Sequence, residues 1–89
     1  MSLRIINAGP DPEKIGGRIR DAIETAIPGA AVEVISGSPG HYEIRVRSDA
    51  FAGRTKVQQH QLVYGAITSL MSGPEAPVHA VDRLDCQLP

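Results

Sequence analysis

Cysteine is all but missing. Cys86 is the only one in 89 residues, so no disulfide can form within the chain, a pattern that fits a reducing compartment. Tryptophan is absent, and Tyr42, Phe51 and Tyr64 are the only aromatic side chains. A core built from this sequence must therefore be small and aliphatic. No apolar run approaches the ~20 residues that a membrane-spanning helix requires. The start, Met1 to Asn7, carries one arginine and a short apolar patch (Leu3, Ile5, Ile6). That patch is too short for the apolar region of a secretory signal, and no cleavage site follows it. The expectation is a cytoplasmic protein with no membrane partner. An excess of charge of one sign is also lacking: the formal net charge is −1, which argues against a wholly basic nucleic-acid binder.

What is present is an ordinary globular composition, 42% apolar and rich in Ile, Val, Leu and Ala. The length suffices for one domain and not for two. A single domain over 1–89 is expected, with residues 1–10 a disordered lead-in, and the free chain a monomer or weak dimer. Asp11-Pro12 is a helix start: the carboxylate can cap free N–H groups and proline suits the first helical position. Ile15, Ile19, Ala22, Ile23 and Ala26 then fall on one face of a helix, which Pro28-Gly29 ends. Ala31 to Ile35 is rich in β-branched residues. From His41 to Ser48 the pattern alternates strictly, with Tyr42, Ile44 and Val46 on one face and His41, Glu43, Arg45 and Arg47 on the other, as in a half-buried strand. Ser36 to Gly40 between them reads as a hairpin turn. Asp49 to Lys56 is a compact connection in which Phe51 plugs the core. Val57 to Met71 is the longest helix, with an apolar stripe of His60, Val63, Tyr64, Ile67, Leu70 and Met71. Ser72-Gly73-Pro74 stops it. The last strand runs from about Val78 to Leu88, its core face Val78, Ala80, Leu84, Cys86 and Leu88, interrupted by Asp82. The order helix, strand, strand, helix, strand predicts an α+β sandwich, one three-stranded sheet covered by helices on one face.

Motifs for catalysis are lacking: there is no nucleophile elbow, no phosphate-binding loop and no zinc-protease helix motif. No enzyme is expected. A Cys–His dyad through Cys86 is formally possible, but the inner face of a terminal strand is where cysteine acts as a small inert core residue. Gly37-Ser38-Pro39-Gly40 matches the G-x-x-G clamp of KH domains in letters only. There the loop joins two helices; here it joins two strands, and its proline lacks an N–H for phosphate. Between Ile44 and Gln61 lie four basic residues (Arg45, Arg47, Arg54, Lys56) and one acidic. They mark a local basic face which, with His60 and the helix over 57–71, is the candidate nucleic-acid surface; the plainer reading is a solvated surface. A metal site complete in itself needs three or four ligands. His41, His60, His79 and Cys86 are not at close ligand spacing, so the chain alone is expected to bind no metal, while a site completed by another protein needs only one or two exposed ligands. His60 is expected to be packed and hydrogen-bonded, His41 to face solvent, and His79 to lie at the start of the last strand on the face opposite Val78 and Ala80.

Four pieces of this sequence, in order and spacing, resemble the BolA family. They are the strand GHYEIRVRS (Gly40 to Ser48), the segment FAGRTKVQQHQLVYGAI (Phe51 to Ile67), the spacing that follows it, and VHAV (Val78 to Val81). The run Gln61 to Gly65 is most similar to the shorter bacterial branch of that family. The resemblance implies a class II KH-type αββαβ fold and a complex with a monothiol glutaredoxin. It further implies a shared [2Fe–2S] cluster, to which the glutaredoxin supplies its cysteine and bound glutathione, and the BolA partner the histidine of Val-His-Ala, here His79. The chain departs from the family pattern in three places. The loop between the first two strands is short and holds no second His or Cys, which leaves His41 as the nearest further ligand. Gln59 and Gln61 flank His60 where many members carry arginine, which weakens the DNA-binding alternative through lost phosphate contacts. The chain ends at Pro89 without the Trp-containing tail of many members.

Overall fold

A computed structural model describes residues 11–89; the expected lead-in over 1–10 lies outside the described residues. The elements follow the expected order: α1 (Pro12–Ala26), β1 (Ala31–Ser36), β2 (His41–Arg47), a 3-10 turn (Asp49–Phe51), α2 (Lys56–Met71) and β3 (Ala80–Gln87). Helix α1 starts as its sequence dictates. The Asp11 carboxylate accepts the Glu13 N–H at 2.9 Å and Pro12 fills the first turn. Its buried stripe is Ile15, Ile19 and Ile23, extended by Ile27 beyond the helix. Helix α2 starts with a reciprocal capping box. The Thr55 hydroxyl accepts the Gln58 N–H, and the Gln58 side chain accepts the Thr55 N–H, so two otherwise orphaned donors are satisfied at once.

The sheet order is β1-β2-β3. β1 and β2 form an antiparallel hairpin with Ala31 opposite Arg47 and Ser36 opposite Tyr42. β2 and β3 run parallel, and α2 supplies the crossover that parallel pairing demands. The two helices pack on one face, and Ile15, Ile19, Ile23, Tyr42, Ile44, Val46, Phe51, Val63, Ile67 and Cys86 close the core between them. Each large aliphatic or aromatic side chain buried there contributes about 1.5–3 kcal/mol. The opposite face carries Glu33, His41, Glu43, Arg45 and Arg47 and stays open. Among the described residues no helix is long and apolar enough to cross a membrane.

The last strand differs from its expected form in two ways. It begins at Ala80 rather than Val78; Val78 is fully buried but precedes the strand, its N–H donating to the Leu70 carbonyl. It also carries a bulge. Tyr42 pairs with Val81 but Glu43 pairs with Arg83, which leaves Asp82 as the extra residue. One inserted residue reverses the parity of every later side chain. The core face is therefore Val81 before the bulge and Leu84 and Cys86 after it, so Ala80 lies beside His41 instead of inward, while Leu88 follows the end of the strand and is 56% exposed.

Candidate functional site

The parallel pairing of β2 and β3 puts both candidate ligand histidines at one end of the sheet. The hairpin Ser36–Gly40 ends at Gly40, whose φ of +79° lies in the left-handed region open to glycine. The Gly40 carbonyl accepts two hydrogen bonds from the start of β3, from the His79 N–H at 2.8 Å and the Ala80 N–H at 3.1 Å. This pair of bonds fixes His79 next to the hairpin. The imidazole lies directly over the glycine: a Cβ at position 40 would fall 2.6 Å from Nδ1 and 2.7 Å from Cγ of His79. His79 is exposed, and its ring has no hydrogen-bond partner among the described residues. His79 sits on the loop before β3 rather than at the start of the strand, its side chain exposed where that of Val78 is buried.

His41 pairs with Ala80 across the ladder. Its Nδ1 lies 3.0 Å from an Asp82 carboxylate oxygen, with the ring about one-third exposed. The bulge is what presents Asp82 to it. A carboxylate on one ring nitrogen orients an imidazole and leaves the other nitrogen for a ligand. Beside His79 opens a cleft of about 580 Å³, walled by Pro12 and Ile15 of α1, Pro39 of the hairpin, Tyr42, and Pro74 to Pro77 of the loop after α2. Four prolines and an apolar floor make this wall stiff. Burial, and secondarily the nearby Asp11 carboxylate, pushes the Tyr42 phenol above its ordinary range.

The candidate nucleic-acid residues come from β2, the connection after it and α2. Arg45 and Arg47 lie on the open sheet face, where the Arg45 guanidinium is 3.4 Å from Glu33 and 3.5 Å from Glu43. The Arg54 Nε–H donates to the Ala50 carbonyl, and the Lys56 ammonium donates to the Cys86 carbonyl. His60 is half-buried on α2 and, against expectation, finds no hydrogen bond among the described residues. Its neighbour Gln59 takes the structural role instead. It is buried, and its amide donates to the Phe51 and Arg54 carbonyls at 3.1 Å each, clamping the connection onto the helix.

Sequence reasoning missed Gly40, Asp82 and the proline wall. A signal for two of them was present: a glycine directly before the strand histidine, and an aspartate breaking the apolar alternation of the last strand. Among the described residues no group of three or more His, Cys, Asp or Glu side chains converges to hold a metal ion. Cys86 is buried.

A family model for BolA-like protein matches residues 21–85. No curated protein matches the chain by sequence. Solved structures similar to it include the BolA domain of SufE1 from Arabidopsis thaliana, at 24% identity and a TM-score of 0.69 over 96% of each chain. BolA1 from Mus musculus is similar over all of this chain and 75% of its own, at 26% identity and a TM-score of 0.69. A BolA homologue from Coxiella burnetii is 26% identical, with a TM-score of 0.63 over 96% of this chain and 94% of its own.

Proposed function

The chain belongs to the BolA-like protein family, and from that premise we propose that it is a non-catalytic adaptor which partners a monothiol glutaredoxin and shares or hands on a [2Fe–2S] cluster. The cluster is cargo, held between two proteins and not resident in this one. The observation that carries the reading is His79: an exposed imidazole, unpaired among the described residues and fixed on Gly40 at the rim of an apolar cleft. A neutral imidazole can stand in for thiolate on iron, and the substitution raises the reduction potential. A half-site of this kind suits transfer, because the remaining ligands come from the partner's cysteine and its glutathione. His41, oriented by Asp82, is the second candidate ligand. The cleft offers an apolar, proline-walled surface against which the partner can seat.

The nucleic-acid alternative has less to support it. The Arg45 charge is already opposed by Glu33 and Glu43, and Arg54 and Lys56 each spend a donor on a main-chain carbonyl.

The test is reconstitution. The protein is mixed anaerobically with a monothiol glutaredoxin, glutathione, iron and sulfide, and visible absorption and circular dichroism are followed through a titration. A new spectrum that saturates at one-to-one, distinct from the glutaredoxin homodimer's and absent with His79→Ala, is the expected result. An unchanged homodimer spectrum sinks the proposal.

A further inference from the structure

Gly40 does more than turn the chain. Two independent features of the structure meet at this residue. Its positive φ accounts for a glycine on conformational grounds alone, but Gly53 and Gly73 share that conformation, with φ of +74° and +89°, and a Cβ built on either meets nothing within 4 Å. At Gly40 a Cβ would meet His79 Nδ1 at 2.6 Å, Cγ at 2.7 Å and Cβ at 3.2 Å. Contacts at Cγ and Cβ are at the root of the side chain, so turning the ring about its own axis does not relieve them. Nor can the backbone of His79 retreat freely, because its N–H is bonded to the Gly40 carbonyl at 2.8 Å. The absent side chain at position 40 is thus the seat on which the imidazole rests.

We propose that Gly40 is the positioning residue for His79: its bare Cα supports the Cγ–Nδ1 edge of the imidazole and so makes Nε2 the nitrogen presented to a ligand. The inference rests on the proposed role of His79, but it concerns the orientation of the ring and is testable in the metal-free chain. The consequence for the site is specific. A histidine on a loop could offer either nitrogen, whereas one seated by its Nδ1 edge offers a single donor atom in a fixed direction. That pre-organisation is what a ligand shared between two proteins needs, since the second protein must dock onto a donor that is already in place.

The experiment compares Gly40→Ala with Gly53→Ala in the full chain, alone and combined with His79→Ala. Both single substitutions put a Cβ on positive-φ backbone, but only the first meets a side chain. Thermal unfolding and long-range 15N correlation spectra of the histidine rings are recorded without metal. Gly40→Ala is expected to move the His79 ring resonances and to lower Tm more than Gly53→Ala does. In the His79→Ala background the excess is expected to shrink, because the two closest contacts, at Nδ1 and Cγ, are gone and only the one at Cβ remains. Equal Tm losses from Gly40→Ala with and without the His79 ring, or unmoved His79 resonances, overturn the proposal. A second arm measures the one-to-one cluster-bridged complex, which Gly40→Ala is expected to weaken about tenfold or more, as loss of an orienting contact does at metal sites, and Gly53→Ala to leave unchanged. Should the wild-type chain bridge no cluster, the adaptor reading fails, while the metal-free spectra and the cycle still decide the role of Gly40.

Discussion

The two ends of the β2–β3 pair lie six residues apart along β2, about 20 Å at the rise of a strand, and they treat their polar side chains in opposite ways. At the far end, by Arg47 and Gln87, such groups are bonded to the main chain and serve the fold. Ser48 caps the 3-10 turn, Gln59 clamps two carbonyls, Thr55 and Gln58 close a capping box, and Lys56 reaches the Cys86 carbonyl. At the near end the hairpin, the bulge and the loop after α2 leave His79 unpaired and exposed beside a cleft. A group bonded to its own backbone has little left to offer another molecule, and displacing it leaves the carbonyl unsatisfied. The near end is therefore built to be used, and the far end to hold the domain together.

Substitutions at the two ends should separate these roles. The largest effect expected is on binding: His79→Ala abolishes the cluster-bridged complex with a glutaredoxin, while Tm stays close to wild type because an exposed side chain with no hydrogen bond among the described residues contributes within about 0.5 kcal/mol. A large loss of stability would show that the near end is structural after all. Gln59→Ala is expected to do the reverse. It should cost about 1–3 kcal/mol in chemical denaturation, because the buried amide's two hydrogen bonds to the Phe51 and Arg54 carbonyls are lost together, with bridging intact in the protein that remains folded. The far end also predicts a pH dependence. Burial pushes the Cys86 thiol above its ordinary range, more than the neighbouring Lys56 charge lowers it, and Asp85 adds to the rise. The folded chain then keeps this proton to a higher pH than the unfolded chain, so stability falls as pH rises past the unfolded thiol's range, by at most about 1.4 kcal/mol per pH unit from this group. Denaturation series at neutral and alkaline pH should show a shallower fall for Cys86→Ala than for wild type. The smallest effect is expected from His41→Gln, which removes the imidazole from a partly exposed pair with Asp82 worth roughly 0–1 kcal/mol. A loss well beyond that would mean the pair holds the bulge, and with it the site, in place.

Much of the fold was legible because it depends on local pattern. The isoleucine spacing of α1, the Asp11-Pro12 start, the strict alternation of β2 and the glycine-proline breaks each state their element with no reference to the rest of the chain. The third strand was legible only in part. Its alternation was read straight through Asp82, which placed Leu84 and Cys86 inward as found but Ala80 there in place of Val81; the bulge that shifts the pattern between them is a property of the pairing with β2, which a single strand does not record. Helix α2 gave a similar error. Gln59 and His60 are adjacent, and the histidine's place on the apolar stripe assigned it the packed, hydrogen-bonded position, whereas the carbonyls of Phe51 and Arg54 select Gln59.

For the site the division has the same cause. The sequence by itself determined which chemistry is available: one thiol, three imidazoles, no complete ligand set and no catalytic motif, with VHAV marking the histidine that the family resemblance singles out. Only the tertiary structure decided which imidazole is free and how it is aimed. A parallel strand pair brings Gly40 and His79 together although 39 positions separate them in the chain, and the bulge turns Asp82 toward His41. Side-chain identity is a local property, fixed residue by residue. Exposure, pairing and direction are relations between distant residues, and those exist only once the sheet has closed.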